Sequence, residues 1–89
     1  MAETTVTVGT TSGLHARPAG VIVAAAGKAG VPITIALGDG KPVNAASILS
    51  VISLGVKGGD SVTVAADGPG ADEIVKSLGD LIASDLDAA

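Results

Sequence analysis

Gly13-Leu14-His15-Ala16-Arg17-Pro18-Ala19-Gly20 decides how the chain begins to fold, because it marks the passage from an opening strand and loop into a first helix. Proline is favoured at the first helical position, so Pro18 sets a helix start in this stretch and His15 at or just before the helix N-terminus. Ala16, Ala19 and Gly20 keep this end of the helix slim enough to pack closely on a sheet. His15 is the only histidine in the protein, and Arg17 follows it closely. A helix N-terminus offers N–H groups without intrahelical acceptors and a partial positive charge, and both attract anions. A guanidinium adds a planar fork that matches phosphate oxygens. Only a neutral imidazole can attack phosphorus. His15, Arg17 and the first N–H groups of the helix therefore supply the parts that a transient phosphohistidine needs.

Outward from this stretch, Thr5-Val6-Thr7-Val8 alternates polar and apolar residues and reads as a half-buried strand. Residues 9–13 form a loop. From Ala16 to about Gly27, the residues Ala19, Ile22, Val23 and Ala26 recur at helical spacing, and Gly27 with Gly30 can end the helix. Ile33, Ile35 and Leu37 alternate with Thr34 and Ala36 as a second strand. Gly38-Asp39-Gly40 is a hairpin turn, and Lys41-Pro42-Val43-Asn44 returns as a short strand that Pro42 confines to an edge or a strand start. A short helix runs from Ser47 to about Ser53, with Ser47 in the residue class that caps helices. Ser61-Val62-Thr63-Val64-Ala65-Ala66 is the last strand. Asp72 and Glu73 open a final helix whose apolar stripe is Ile74, Val75, Leu78, Leu81 and Ile82. Residues 85–89 read as a frayed tail. The order β-α-β-β-α-β-α predicts an α+β domain, a four-stranded sheet with helices on one face.

Composition bounds what such a domain can be. Eighty-nine residues make one domain without cysteine, so its core is apolar packing alone, unaided by disulfide or thiolate metal site. The chain has no Phe, Tyr or Trp, and 13 glycines, so stability rests on close approach of Val, Ile, Leu and Ala rather than on large anchors. A net charge of −4 and the lack of aromatic stacking platforms argue against nucleic acid. The first residues lack a basic and apolar leader, and Val21-Ile22-Val23-Ala24-Ala25-Ala26 is too short to span a bilayer, so a cytoplasmic location without membrane insertion is expected. With one histidine and no ligand cluster, no resident metal or cofactor is expected.

The segment 13–20 resembles the active-site signature of the histidine-containing phosphocarrier (HPr) family of the bacterial phosphoenolpyruvate:sugar phosphotransferase system. Ser47-Ile48-Leu49-Ser50-Val51-Ile52-Ser53-Leu54-Gly55 resembles the second signature of that family, a short serine-containing helix, at the expected separation. The resemblance covers residues 1–89 as a single domain. It implies an open-faced β-sandwich, a four-stranded antiparallel sheet covered on one face by three helices. By this resemblance, Nδ1 of His15 accepts a phosphoryl group from phospho-enzyme I and donates it to enzyme IIA domains of sugar permeases, a carrier's part rather than that of a turnover enzyme. Arg17 would clamp the phosphoryl oxygens, the N–H groups of Ala16 and Arg17 would complete the pocket, and Ser12 or Gly13 could add backbone contacts.

The resemblance also implies a serine kinase acting on Ser47 in some lineages, with transcriptional regulators among the partners. Ala46 departs from that pattern, standing where relatives often carry lysine. Ile48, Leu49 and Ile52 would form an exposed patch for docking partners, since adjacent Ile48 and Leu49 can hardly both face a core. With Lys28 the only lysine of the first helix, the docking surface is expected to be less basic and more apolar than is typical of relatives. A carrier that docks several partners in turn is expected to be a monomer. Two other readings stay open here: a phosphocarrier of a nitrogen or regulatory branch, told apart by which enzyme I charges it, and an interaction module that binds through the apolar helix and carries no phosphate. A phosphopantetheine or biotin carrier lacks its attachment motif here.

Overall fold

A computed structural model of the protein describes residues 2–11 and 13–85. The elements are β1 (Ala2–Thr7), α1 (Ala16–Lys28), β2 (Ile33–Leu37), β3 (Val43–Asn44), α2 (Ile48–Ser53), β4 (Ser61–Ala66) and α3 (Ala71–Ala83). They build a four-stranded antiparallel sheet in the order β1-β4-β2-β3, with the three helices on one face. The first strand therefore pairs with the last, Val6 opposite Val62 and Thr4 opposite Val64, and β4 in turn pairs with β2, Ile35 opposite Val64.

Strand alternation explains which side is covered. Ile33 and Ile35 of β2 and Val62, Val64 and Ala66 of β4 point to the helices and are buried. Thr5 and Thr63 point the other way and share a hydroxyl hydrogen bond of 3.0 Å across β1 and β4. From above, Ala19, Ile22 and Ala26 of α1, Val51 of α2, and Val75, Leu78 and Ile82 of α3 close the core. Gly79 shows how a core without aromatic rings reaches close packing. A Cβ at this helical position would lie 3.1 Å from Thr4 Cγ2 and 3.2 Å from Val6 Cγ1, so the bare backbone lets α3 settle onto β1.

The element order is the expected one, with shifted boundaries. β1 begins at Ala2 and stops before Val8, and β3 is reduced to Val43–Asn44. α1 runs on to Lys28, with Gly27 inside it and Gly30, at φ 75°, as the stop. Pro18 is the third helical residue, not the first. All of the first three N–H groups of a helix lack an intrahelical acceptor, so proline costs little anywhere in that turn. Of the expected tail, residues 86–89 lie outside the described residues.

Candidate phosphate site and docking face

After Thr7 the chain leaves the sheet but stays tied to it. The N–H of Val8 donates to Asp60 C=O (2.8 Å), and that of Gly9 to Ile82 C=O (3.1 Å). A tight turn follows, closed by Gly13 N–H on Thr10 C=O at 2.9 Å, with Gly13 at φ 81°. Thr10 is wholly buried, and its hydroxyl lies 3.4 Å from the Ser84 carbonyl just past α3. The N–H of Leu14 then donates to Val56 C=O (3.1 Å), and the Leu14 side chain enters the core at 2% exposure. Extended backbone sends successive side chains to opposite sides, so the burial of Leu14 turns His15 outwards.

His15 is the N-cap of α1, at φ −80° and ψ −171°, and is exposed. Its carbonyl accepts the first helical N–H, from Ala19, at 2.9 Å, while its ring makes no capping bond to the first turn. The N–H groups of Ala16 and Arg17 precede that first bond and have no acceptor within the helix, and Pro18 has no N–H to offer. Two backbone donors, the positive end of α1 and the exposed Arg17 thus stand beside one exposed imidazole. The expected set His15, Ala16 and Arg17 is brought together. Of the weaker candidates, the Gly13 N–H is already taken by its turn, and Ser12 lies outside the described residues.

Ser47 caps α2. Its hydroxyl accepts Ser50 N–H at 3.4 Å, and an Asn44 side chain that accepts Ala46 N–H at 2.9 Å bends the chain into the cap. Of the apolar residues in α2, Val51 is fully buried, whereas Ile48, Leu49 and Ile52 are 38%, 77% and 38% exposed. α2 lies against α1 at Gly20, where a Cβ would sit 4.0 Å from Ile48 Cδ1. Val21, beside Gly20, is a further exposed apolar residue (41%) that sequence reading missed. Its signal lay in the run Val21-Ile22-Val23, which is too apolar for one helix face, and of which only Ile22 is fully enclosed. All the large exposed apolar side chains among the described residues thus lie on α1 and α2. A groove of 610 Å³ between α1 and α3, lined by Ala25, Ile33, Ile74 and Leu78 among others, includes none of these site residues.

The description "PTS HPr component phosphorylation site" belongs to a family model that matches residues 2–84. The chain belongs to the HPr family, the phosphocarriers of the phosphotransferase system. It is similar to the phosphocarrier protein HPr of Streptomyces coelicolor, at 51% identity over 98% of this chain and 94% of that protein. It is also similar to the multiphosphoryl transfer protein of Salmonella typhimurium, at 40% identity over 83% of this chain and 20% of that longer protein. Among solved structures, HPr-C-His from Thermoanaerobacter tengcongensis superposes with a TM-score of 0.84, at 43% identity over 92% of this chain and 91% of that one. The HPr fold is the open-faced sandwich described above. In this HPr chain, no group of three acidic, histidine or cysteine residues among those described could hold a metal ion. No helix among them is long and apolar enough to cross a membrane.

Proposed function

We propose that His15 takes a phosphoryl group from phospho-enzyme I and hands it to enzyme IIA domains in the bacterial cytoplasm, the protein working as a monomer. The observation that carries this reading is the exposed imidazole at the N-cap of α1, beside two backbone donors and Arg17. In the forward step a lone pair of the neutral ring, on Nδ1, attacks phosphorus. The N–P bond forms as the bond to the donor breaks, and the donor keeps that bond's electron pair. The N–H groups of Ala16 and Arg17 and the guanidinium of Arg17 take up the charge on the three phosphoryl oxygens. An open site serves the return step, because the acceptor must reach the same phosphorus atom. Each exposed charge–dipole contribution is worth only about 0.3–1 kcal/mol, so the group is held without being trapped.

Arg17 is expected to matter for transfer and not for folding. Arg17→Ala should slow phosphorylation of His15 about a hundredfold, the scale for losing one donor to a developing anion. Stability should change by less than about 1 kcal/mol, because the residue is exposed. Rapid-quench transfer assays and thermal melts read the two separately, and an unchanged rate would remove Arg17 from the mechanism.

Ile48, Leu49 and Ile52, joined by Val21, form the surface on which partners dock. Leu49→Asp is expected to lower kcat/KM for transfer about tenfold, as for a central apolar anchor. Its stability should stay within about 0.5 kcal/mol, since the carboxylate would sit in the first turn of α2 where the helix dipole favours it. An unfolded variant would mean that Leu49 belongs to the core. Ser47, at the N-terminus of the same helix, is the position for a regulatory phosphate. Added there, it would put negative charge on the docking face and weaken binding of acidic partners without disturbing the fold.

The decisive experiment is incubation with enzyme I and phosphoenolpyruvate, followed by acid-lability measurement and mass mapping. One acid-labile, base-stable phosphate on His15 is the expected outcome. Absence of phosphate on a folded protein would leave the docking helix as the surface of a pure interaction module. Comparing sugar-branch with nitrogen-branch enzyme I assigns the circuit.

A further inference from the structure

The docking helices supply very little positive charge to the His15 site. α1 and α2 contain no acidic residue, and their only charged side chains are Arg17 and, in the last turn of α1, Lys28. Of the remaining lysines, Lys41 lies between β2 and β3, and Lys76 bridges to Asp80 on α3 at 3.6 Å. Lys57 is placed differently. It belongs to the loop between α2 and β4, yet that loop lies directly against the turn leading to His15. Leu14 N–H bonds to Val56 C=O, and a Cβ built on Gly13 would fall 2.7 Å from Lys57 Cα. From Gly13 to His15 the chain can span at most about 7 Å. Adding the Gly13–Lys57 approach puts the Lys57 Cα within about 11 Å of the His15 Cα, inside the Debye length of about 30 Å at about 0.01 M salt. Lys57 is exposed, and its ammonium rides on a flexible four-carbon stem.

Two acids share this neighbourhood. The Asp60 carboxylate accepts the N–H of Lys57 at 2.9 Å, and Asp85 follows the end of α3, where Ser84 meets Thr10. Without Lys57, the loop beside the site would present Asp60 with no cation of its own. We propose that Lys57 is a steering cation of the His15 site, acting from the neighbouring loop to draw the anionic phosphoryl group onto the imidazole. The proposal rests on the carrier reading above. It gives Lys57 a part in encounter and none in the bond-making step.

The test is the rate of His15 phosphorylation by phospho-enzyme I for wild type, Lys57→Gln and Lys57→Arg across a range of sodium chloride concentrations. At low salt, Lys57→Gln should lower kcat/KM about three- to fivefold through KM, with kcat and melting temperature unchanged, as expected of one steering charge at a rim. The deficit should fade at high salt, and Lys57→Arg should restore the wild-type value. Equal salt dependence in wild type and Lys57→Gln would overturn the proposal alone. So would a deficit that persists at all salt concentrations with a lowered melting temperature, which is the mark of a structural role. No phosphate on wild-type His15 would overturn the carrier reading, and this inference with it.

Discussion

His15→Gln should yield a folded protein that takes up no phosphate from phospho-enzyme I. The variant loses the one imidazole of the chain. Glutamine keeps a polar side chain of similar length at the N-cap. The residue is exposed, so the change in stability should stay below about 1 kcal/mol. A sharper outcome concerns binding. The proposed docking patch, the exposed Val21, Ile48, Leu49 and Ile52, is untouched, so His15→Gln should still bind enzyme I and compete with the wild-type carrier. Transfer assays with both proteins present measure this directly. Residual phosphate on the variant, mapped elsewhere, would show that the acceptor had been misassigned.

The second large effect is expected at Gly13. Its φ of 81° lies in the left-handed region, which costs an alanine roughly 1–2 kcal/mol. The added methyl would also stand 2.3 Å from Val56 C=O, a backbone atom that cannot swing aside like a side chain. Gly13→Ala must therefore push the two loops apart and weaken the Leu14–Val56 hydrogen bond beside His15. A loss of about 3 kcal/mol is expected, which lowers the melting temperature of a domain of this size by more than about 10 °C. Transfer should fall as well, even at temperatures where the variant is folded, because the loop that aims His15 has moved. Gly27→Ala is the matched control. That glycine is exposed inside α1 with no atom within 4 Å of the added methyl. The change should raise stability by roughly 0.5–1 kcal/mol and leave transfer alone.

These two glycines also show why parts of the site were legible and others were not. His15, Ala16, Arg17 and Pro18 lie on consecutive residues, so their placement at a helix start follows from short-range rules, and only the position of Pro18 within the first turn came out shifted. Ile48 and Leu49 announced an exposed patch by being adjacent in a helix too short to bury both. The run Val21-Ile22-Val23 carried the same sign, but periodicity alone cannot say which of its residues the core will take. β1 was half visible for a related reason. Its inner face carries Thr4 where an apolar residue would be expected, and Thr4 is tolerated there because Gly79 of α3 sits over it. Apart from the turn bond between Gly13 and Thr10, the hydrogen bonds that tie the loop down are non-local: Leu14 with Val56, Gly9 with Ile82, Thr10 with Ser84. No pattern in residues 9–14 encodes them, and for the same reason Lys57 could be linked to His15 only in three dimensions.

Pairing the first strand with the last also governs when this protein becomes competent during its own synthesis. β1 leaves the ribosome first, but its partner comprises residues 61–66, and the loop after β1 rests on Val56, Asp60 and Ile82. Pairings between segments so distant in the chain slow folding in general. A nascent or prematurely ended chain can therefore carry His15, Arg17 and the whole of α1 and still lack the shaped loop that presents the imidazole. A chain that stops before Ile82 lacks the hydrogen bond that ties Gly9 to the end of α3, and with it one of the anchors of the loop before His15.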